Sequence, residues 1–374
     1  MIYLDSAATT LQKPPAVAAA VSKALTELSS PGRGGHSAAM AAADTAFRCR
    51  CALAELFGMD HPERVVFTMN ATHSLNLAIK SLIGPGDRVV ISGYEHNSVT
   101  RPLTALGAKV EVARFPLFQE GDALAAFERL AVEGTRAVVC THVSNVFGFI
   151  LPVEAIAALC RERGIPLILD LSQSAGTIPV NFQALGAAFA AMPGHKGLYG
   201  PQGTGVLLWD GKAPVKTLLE GGTGSVSLEQ NMPEELPDRL EAGTHNMPGI
   251  AGLLEGVQFV RQRGPEAICS QERRLALLAA KGLEAMPGVR VFSLSGLRSQ
   301  GPVLSFTTEK LDGETLAQTL AEEGVAVRAG LHCAPLAHGT AGTLNSGTVR
   351  MSFSAFNTPE EIFHVMSILS RILR

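Results

Sequence analysis

Short apolar runs rich in β-branched residues alternate with helical patterns along the first two thirds of the chain. Strands that are apolar on both faces and alternate with helices form mainly parallel sheets. The sequence therefore predicts an α/β fold, a seven-stranded sheet with helices on both faces, with ligands bound at the carboxyl ends of the strands. The predicted strands are Val65–Thr68, Arg88–Ser92, Lys109–Phe115, Ala137–Val143, Pro166–Leu171, Ala187–Met192 and Gly205–Trp209, and the helices between them include Thr72–Leu82, Asn97–Leu106, Asp122–Val132 and Val153–Arg163.

The pattern changes after Gly249 and predicts a smaller α+β domain. We expect an N-terminal segment, 1–15, that packs with this small domain, a large α/β domain, 16–249, and the small domain itself, 250–374. The elements predicted there are one long helix from about Ile250 to Met286, strands Val289–Ser293 and Val303–Thr307, a helix Gly313–Glu323 and a last helix from Pro359.

Composition and charge narrow the classes of function. The chain has 374 residues, with 31 Lys and Arg against 34 Asp and Glu and a formal net charge of −3. A nucleic-acid ligand needs a concentrated basic surface, so small molecules or proteins are the expected partners. The first ten residues lack the pattern of a signal peptide, and polar residues and prolines interrupt the uncharged stretch 171–194, so neither export nor a membrane span is expected.

The six cysteines, at positions 49, 51, 140, 160, 269 and 333, form no C-x-x-C pair. This pattern suits a reducing cytoplasm and argues against disulfides or a metal site. Five of the six are expected to be buried thiols. Cys333 is the exception, because it lies beside His332 in a segment bounded by Gly330 and Pro335, and the polar stretch from there to Arg350 predicts a loop without buried core residues.

Lys196 gives the strongest local signal of chemistry. It stands in Gly194-His195-Lys196-Gly197, just after the predicted strand that ends at Met192. A lone lysine in a glycine-rich turn is usually a surface residue, but Asp170 ends a neighbouring apolar strand and therefore lies at the same edge of the sheet. A desolvated lysine can form a Schiff base, and a carboxylate can keep a pyridine nitrogen protonated, which are the two requirements of pyridoxal phosphate (PLP) chemistry.

A phosphate site is predicted at Asn70-Ala71-Thr72, between a strand and a helix. The free N–H groups and positive end of that helix attract an anion, and the Thr72 hydroxyl adds a donor, although Thr72 also suits an ordinary helix cap. His96, just past another strand, could stack on a cofactor ring. The glycines at 200–205 lead into a strand rather than opening a helix, so they do not fit a dinucleotide site.

Arg350 begins a strand-like segment in the small domain. Its guanidinium fork suits a substrate carboxylate, and a structural salt bridge is the equally weighted alternative.

Taken in order, these residues resemble the cysteine desulfurases and selenocysteine lyases of the class V aminotransferase group, which have PLP fold type I. The compact segment around Cys333 is similar to the group II desulfurases. The resemblance covers nearly the whole chain, through Tyr3–Thr9, Arg33–His36, Glu95-His96, Val143–Asn145, Asp170–Gln173, Gly194–Lys196, Glu241–Thr244, Arg328–Cys333, Arg350 and Asn357-Thr358.

The resemblance implies a role for each matching residue. Lys196 binds PLP covalently, Asp170 pairs with the pyridine nitrogen, Gln173 bonds the phenolic oxygen and His96 stacks on the ring. The phosphate site is formed by Ala71, Thr72 and His195 with Thr244 of the neighbouring subunit, which implies a homodimer. Asn145 and Arg350 hold the substrate carboxylate, with Arg328 and His36 also on the substrate side, and the catalytic residues are Lys196, Cys333 and His96.

Two positions depart from the family pattern. Pro193 stands where many relatives have a serine, and Ala71 stands where they have the first of two threonines. The phosphate site therefore has fewer side-chain donors, so we expect either weaker cofactor binding or another group that compensates.

The predicted reaction is conversion of L-cysteine to L-alanine, with a persulfide formed on Cys333 and passed to an acceptor protein or thiol of unknown identity. Selenocysteine lyase is an alternative, because the same residues would serve it. A PLP-dependent aminotransferase or epimerase is a second alternative and needs no Cys333, and a non-catalytic PLP-fold binding subunit is the least favoured.

Overall fold

The computed structural model describes residues 1–31, 34–294, 296 and 298–373. Its strands, in chain order, are β1 (Ile2–Tyr3), β2 (Val65–Thr68), β3 (Arg88–Ser92), β4 (Lys109–Ala113), β5 (Thr135–Thr141), β6 (Leu167–Asp170), β7 (Phe189–Pro193), β8 (Gly205–Trp209), β9 (Val289–Phe292), β10 (Val303–Thr308), β11 (Val325–Ala326), β12 (Arg328–Gly330) and β13 (Thr348–Ser352). Its helices are α1 (Pro15–Glu27), α2 (Ser37–Leu56), α3 (Ala71–Leu82), α4 (Asn97–Ala105), α5 (Glu120–Leu130), α6 (Val153–Glu162), α7 (Phe182–Leu185), α8 (Met247–Arg263), α9 (Pro265–Glu284), α10 (Gly313–Glu322), α11 (Pro335–Ala341) and α12 (Pro359–Ile372).

The predicted seven-stranded sheet is confirmed, in the order β2-β8-β7-β6-β5-β3-β4. Its strands are parallel apart from β8, which runs antiparallel to both of its neighbours. The central strands β5, β6 and β7 are buried on both faces, as their continuous apolar sequences predict. Thr141, Asp170 and Pro193 end these three strands, so their positions at one edge follow directly from the parallel pairing.

The single helix predicted over 250–286 is wrong. The structure has two helices, α8 and α9, which meet at Gly264, where φ is +84°. A residue other than glycine rarely adopts this backbone conformation, and Pro265 lacks the N–H that would continue the first helix, so it begins the second. The pair Gly264-Pro265 was the sequence signal for this break.

The stretch from Cys333 to Arg350 is also more ordered than predicted. It contains α11, in which Ala337 and His338 are both completely buried. The expectation of five buried cysteines needs a similar correction, because Cys51 is partly exposed on α2 while Cys49, Cys140, Cys160 and Cys269 are buried.

The C-terminal part of the chain contains a second, antiparallel sheet, β12-β13-β10-β9. The N-terminal strand β1 pairs in parallel with β11, and Asp5 forms a bridge with Ser352 of β13, so the first residues of the chain lie against this part. Helix α8 contributes Leu253 and Val257 to the core under the large sheet. The division at 15 and 249 stays a prediction.

Helices in the described part of the chain include none with both the length and the apolar character that a membrane crossing needs.

Candidate active site

A cavity with about 190 Å³ of space for water-sized molecules lies at the carboxyl ends of β5, β6 and β7. It brings together eight of the predicted site residues: Ala71, Thr72, His96, Asn145, Asp170, Gln173, His195 and Lys196. The other lining residues are Ala8, Asn70, Ser98, Thr141, Val143, Ser172 and Pro193. The sheet topology thus brings together side chains that are spread over more than 120 residues of the sequence.

Lys196 lies in the loop that follows β7. Burial lowers the pKa of its amine to about 8, with Asp170 acting in the opposite direction and Arg350 adding to the decrease. A lysine with this pKa is partly neutral near physiological pH and can act as a nucleophile or base. The loop lies close to the segment after β6, since a Cβ on Gly197 would clash with the Ala175 carbonyl oxygen.

Asp170 is the last residue of β6 and is 3% exposed. Its Oδ1 accepts a hydrogen bond from the Ser172 N–H at 2.9 Å, which fixes the carboxylate at the cavity. Gln173 lies one turn further, and its side-chain amide donates to the Ala7 carbonyl oxygen at 3.0 Å. The N-terminal segment therefore contacts the floor of the site.

Helix α3 begins at the cavity. Asn70 caps it by accepting the His73 N–H at 2.9 Å, and the N–H groups of Ala71 and Thr72 precede the first possible bond within the helix. His195 lines the same cavity, and its Nδ1 lies 3.0 Å from the Thr9 hydroxyl. Burial, reinforced by the charges of Lys196 and Lys13, lowers the pKa of His195 to about 4, so this imidazole is neutral.

His96 caps helix α4, and its Nδ1 accepts the Ser98 N–H at 3.0 Å. An Nδ1 that accepts a hydrogen bond leaves the ring proton on Nε2. Burial is the main cause of its lowered pKa, against a smaller opposing contribution from Asp170. Ser98 was not among the predicted site residues, because it belongs to no motif and only the first turn of α4 brings it to the cavity.

Cys333 is exposed on a strained turn, in which both His332 (φ +49°) and Cys333 (φ +56°) have left-handed backbone conformations. Two hydrogen bonds hold this turn to the rim of the cavity. The Asn145 side-chain amide donates to the His332 carbonyl at 2.8 Å, and the Asn97 N–H donates to the Cys333 carbonyl at 2.8 Å. Because Asn97 directly follows His96, the thiol-bearing turn is fixed relative to the predicted ring-stacking histidine.

Arg350 is 2% exposed and lies beside the cavity rather than in its lining. Its Nη2 donates to Asp5 Oδ1 at 2.8 Å and its Nη1 to the Asn145 carbonyl at 2.8 Å. Arg328 also pairs with Asp5, at 3.0 Å. The salt bridge that was the alternative interpretation of Arg350 is therefore present. The buried Arg350 Nε contacts no acceptor among the described residues.

Two predicted residues lie apart from the cavity. Thr244 is exposed and lines a separate pocket with Met69, His73 and Leu219. His36 is exposed and caps helix α2, with its Nδ1 3.4 Å from the Ala39 N–H. Arg33, the first residue of the Arg33–His36 motif, lies outside the described part of the chain.

Glu95 is a completely buried carboxyl group for which the sequence predicted no role. Its Oε1 accepts the Thr141 N–H at 2.8 Å and a hydrogen bond from the Ser92 hydroxyl, so it joins the ends of β3 and β5. Burial raises the pKa of Glu95 to about 8. The sequence does not show this, because the N–H that Glu95 binds lies 46 positions along the chain.

The donor set of the cavity fits PLP. A helix start with open N–H groups suits a phosphate, the Asp170 carboxylate suits a pyridinium nitrogen, and the Lys196 amine, with its pKa lowered to about 8, suits an aldehyde. No group of three or more His, Cys, Asp or Glu side chains in the described ranges is placed to hold a metal ion.

The chain matches the aminotransferase class-V family model over residues 2–365. It belongs to this family, whose members depend on PLP. A "probable cysteine desulfurase" from Pyrococcus abyssi is 32% identical over 388 residues, covering 100% of this chain and 94% of the relative. A "probable cysteine desulfurase" from Mycolicibacterium paratuberculosis is 34% identical over 386 residues, and this chain spans 55% of its length.

Solved structures give the same result. An apo cysteine desulfurase from Thermococcus onnurineus superposes with a TM-score of 0.91 and 31% identity, over 100% of this chain and 94% of that one. A cysteine desulfurase from Escherichia coli, with an S-sulfonic acid, gives a TM-score of 0.86 and 27% identity over 99% and 94%. The predicted fold class and the predicted family are therefore confirmed.

Replacing Glu95 with Gln should change how stability depends on pH. The folded-state pKa of Glu95, about 8, lies above its ordinary value of 4.5, so its protonated form stabilises the fold at low pH and this contribution is lost as pH rises toward 8. Glutamine is neutral at every pH and keeps an acceptor for the Thr141 N–H. The melting temperature of Glu95→Gln relative to the unchanged protein should therefore rise by a few degrees between pH 5 and 8.5.

Thermal unfolding followed by circular dichroism measures this difference. The exposed Glu314→Gln variant is the matched control and should show no pH-dependent difference from the unchanged protein. A Glu95→Gln difference that stays constant over this pH range would contradict a buried, protonated Glu95.

Proposed function

We propose that this chain is a PLP-dependent cysteine desulfurase that converts L-cysteine to L-alanine. One observation carries the proposal: an exposed cysteine, Cys333, is held at the rim of the cavity that contains Lys196 and Asp170 by hydrogen bonds to Asn97 and Asn145. A PLP site alone would serve many reactions. A thiol fixed at its entrance serves transfer of a substrate sulfur.

The cofactor contacts are assigned as follows. The Lys196 amine would bind the PLP aldehyde, Asp170 would pair with the pyridine nitrogen, and Gln173 would face the phenolic oxygen. Ala71 and Thr72, at the start of α3, and the neutral His195 would bind the phosphate, while His96 would stack on the ring. When bound, PLP supplies an electron sink for the electron pair released at the substrate Cα.

Lys196 is the proposed base at the substrate Cα. Because its pKa is about 8, a substantial fraction of the amine is neutral at pH 7–8 and can accept a proton there. His96, with its proton on Nε2, lines the same cavity and is the proposed proton donor. A lyase reaction needs one group that accepts a proton and another that donates one, and Lys196 and His96 are proposed for these two roles.

Cys333 is the proposed sulfur acceptor. Its thiolate attacks the sulfur of L-cysteine, so that the substrate Cβ–S bond breaks and an S–S bond forms on Cys333. The electron pair of the broken bond stays with the carbon fragment, which gains protons at Cβ and Cα and leaves as L-alanine. The sum is L-cysteine plus the Cys333 thiol giving L-alanine plus the Cys333 persulfide. The outer sulfur then passes to the thiol of an acceptor protein, or a reducing thiol releases it as sulfide and becomes a disulfide.

Arg350, Arg328 and Asn145 are the proposed contacts of the substrate carboxylate. The buried Arg350 Nε has no acceptor among the described residues, so its N–H can donate a hydrogen bond to such a carboxylate. Asp5 already binds both arginines, and its one negative charge offsets part of their two positive charges. Substrate binding then adds to this network or displaces Asp5 from it.

We infer that the protein is cytoplasmic, since all six cysteines are free. We also infer that it forms a homodimer. Thr244 supports the dimer because it is exposed and does not line the Lys196 cavity of its own subunit, so it is available to the cavity of a second subunit.

Light scattering should therefore give a mass of twice 39.3 kDa for the PLP-loaded protein. A mass of one chain at micromolar concentration would contradict the dimer and the shared role of Thr244.

Replacing Cys333 with Ala should abolish desulfuration. Full-length, PLP-loaded protein is incubated with L-cysteine and a reductant, and alanine and sulfide are measured together. The unchanged protein should release both in equal amounts, and Cys333→Ala should lower both rates by about 10²-fold or more while the yellow cofactor stays bound. Cys51→Ala, which removes the partly exposed thiol of α2, is the matched control and should keep full activity.

Other outcomes identify the alternative reactions. Full alanine production by Cys333→Ala would contradict persulfide formation on this residue. Activity on L-selenocysteine but not on L-cysteine would indicate a selenocysteine lyase, and amino transfer to pyruvate or glyoxylate would indicate an aminotransferase.

A further inference from the structure

A continuous line of hydrogen bonds joins the phosphate end of the cavity to His96, and Ser98 is its middle member. The hydroxyl oxygens of Thr72 and Ser98 lie 2.9 Å apart. The Ser98 hydroxyl lies 2.9 Å from His96 Nδ1, which also accepts the Ser98 N–H at 3.0 Å. All three residues line the cavity.

The direction of these bonds follows from counting protons. His96 Nδ1 accepts the Ser98 N–H, so it carries no proton of its own and can accept a second hydrogen bond only from the Ser98 O–H. The Ser98 oxygen then accepts the Thr72 O–H. In this arrangement each hydroxyl proton has an acceptor.

The same end of the cavity has few other side-chain donors. Ala71 has no hydroxyl, and Pro193 has neither a hydroxyl nor a backbone N–H, although both residues line the cavity. Thr72 is therefore the hydroxyl that a phosphate would use there. Thr72 is an exposed residue, so its rotamer is free unless a neighbour fixes it, and Ser98 is that neighbour.

We propose that Ser98 is a positioning residue that couples the PLP phosphate site to His96. It fixes the Thr72 hydroxyl at the phosphate site, and it holds His96 in the neutral form with the proton on Nε2. When a phosphate accepts the Thr72 O–H, the Ser98 O–H donates to the Thr72 oxygen, and the Ser98 N–H keeps its hydrogen bond to His96 Nδ1. This inference rests on the proposed PLP site and adds to it the group that compensates for Ala71 and Pro193.

Each bond has a separate readout. Ser98→Ala removes both, so it should weaken PLP binding by about 3- to 10-fold, the effect of one hydrogen bond. It should also raise the pKa of His96 toward 6.5, because a donor to the neutral ring is lost. Thr72→Val removes only the first bond, so it should weaken PLP binding and leave the pKa of His96 unchanged.

The other groups that act on His96 stay the same in these variants. Asp170 raises the pKa of His96, and Lys196, Arg101 and Arg350 lower it. Thr104→Ala, on the same helix but facing solvent, removes a hydroxyl that bonds the Thr100 carbonyl and is the matched control. Ser98→Thr keeps the hydroxyl and should restore both properties.

The experiment uses full-length protein, with and without PLP. PLP binding is measured by fluorescence titration, and the pKa of His96 by NMR of the imidazole with His96 assigned by substitution. Unchanged PLP affinity together with an unchanged His96 pKa in Ser98→Ala would overturn the inference while the PLP site stands. Failure of the unchanged protein to bind PLP would overturn the proposed function instead.

Discussion

The register of the parallel strands β5, β6 and β7 is the constraint on which the site depends. Thr141 pairs with Asp170, and Asp170 with Ala191, so the strands reach the same edge of the sheet at the same level. A slip of one residue would turn every side chain of a strand to the opposite face. Close packing of the buried side chains on both faces opposes such a slip, and it thereby places the Asp170 carboxylate next to the loop that carries Lys196.

Asp5 supplies a second constraint, which joins distant parts of the chain. It binds Arg350 and Arg328, and Arg350 in turn binds the Asn145 carbonyl, so the N-terminal segment, the small sheet and the rim of the large sheet share one network. Burying charges is costly unless they are paired, and here one carboxylate is shared between two guanidinium groups. The network also lies beside Lys196, where its charges contribute to the pKa of the amine.

The sequence predicted the large sheet well because its buried strands are continuous apolar runs, and Val65–Thr68, Arg88–Ser92 and Gly205–Trp209 have the predicted bounds. It predicted most of the cavity for the same reason, since strand ends position the residues that follow them. It missed the partners of Arg350 and Glu95, because a salt bridge across 345 positions leaves no local pattern. It also missed Ser98, because the hydrogen bond between Ser98 and Thr72 forms only where the first turns of α3 and α4 come together.

Transfer of a sulfur atom from L-cysteine to Cys333 is tested most directly by peptide mass spectrometry. PLP-loaded protein is mixed with L-cysteine in the absence of reductant, trapped with an alkylating reagent and digested. The account predicts that the peptide containing Cys333 gains the mass of one sulfur atom, that reductant removes it, and that peptides of the other cysteines stay unchanged. Release of alanine without added sulfur on Cys333, or added sulfur on a different cysteine, would contradict the account.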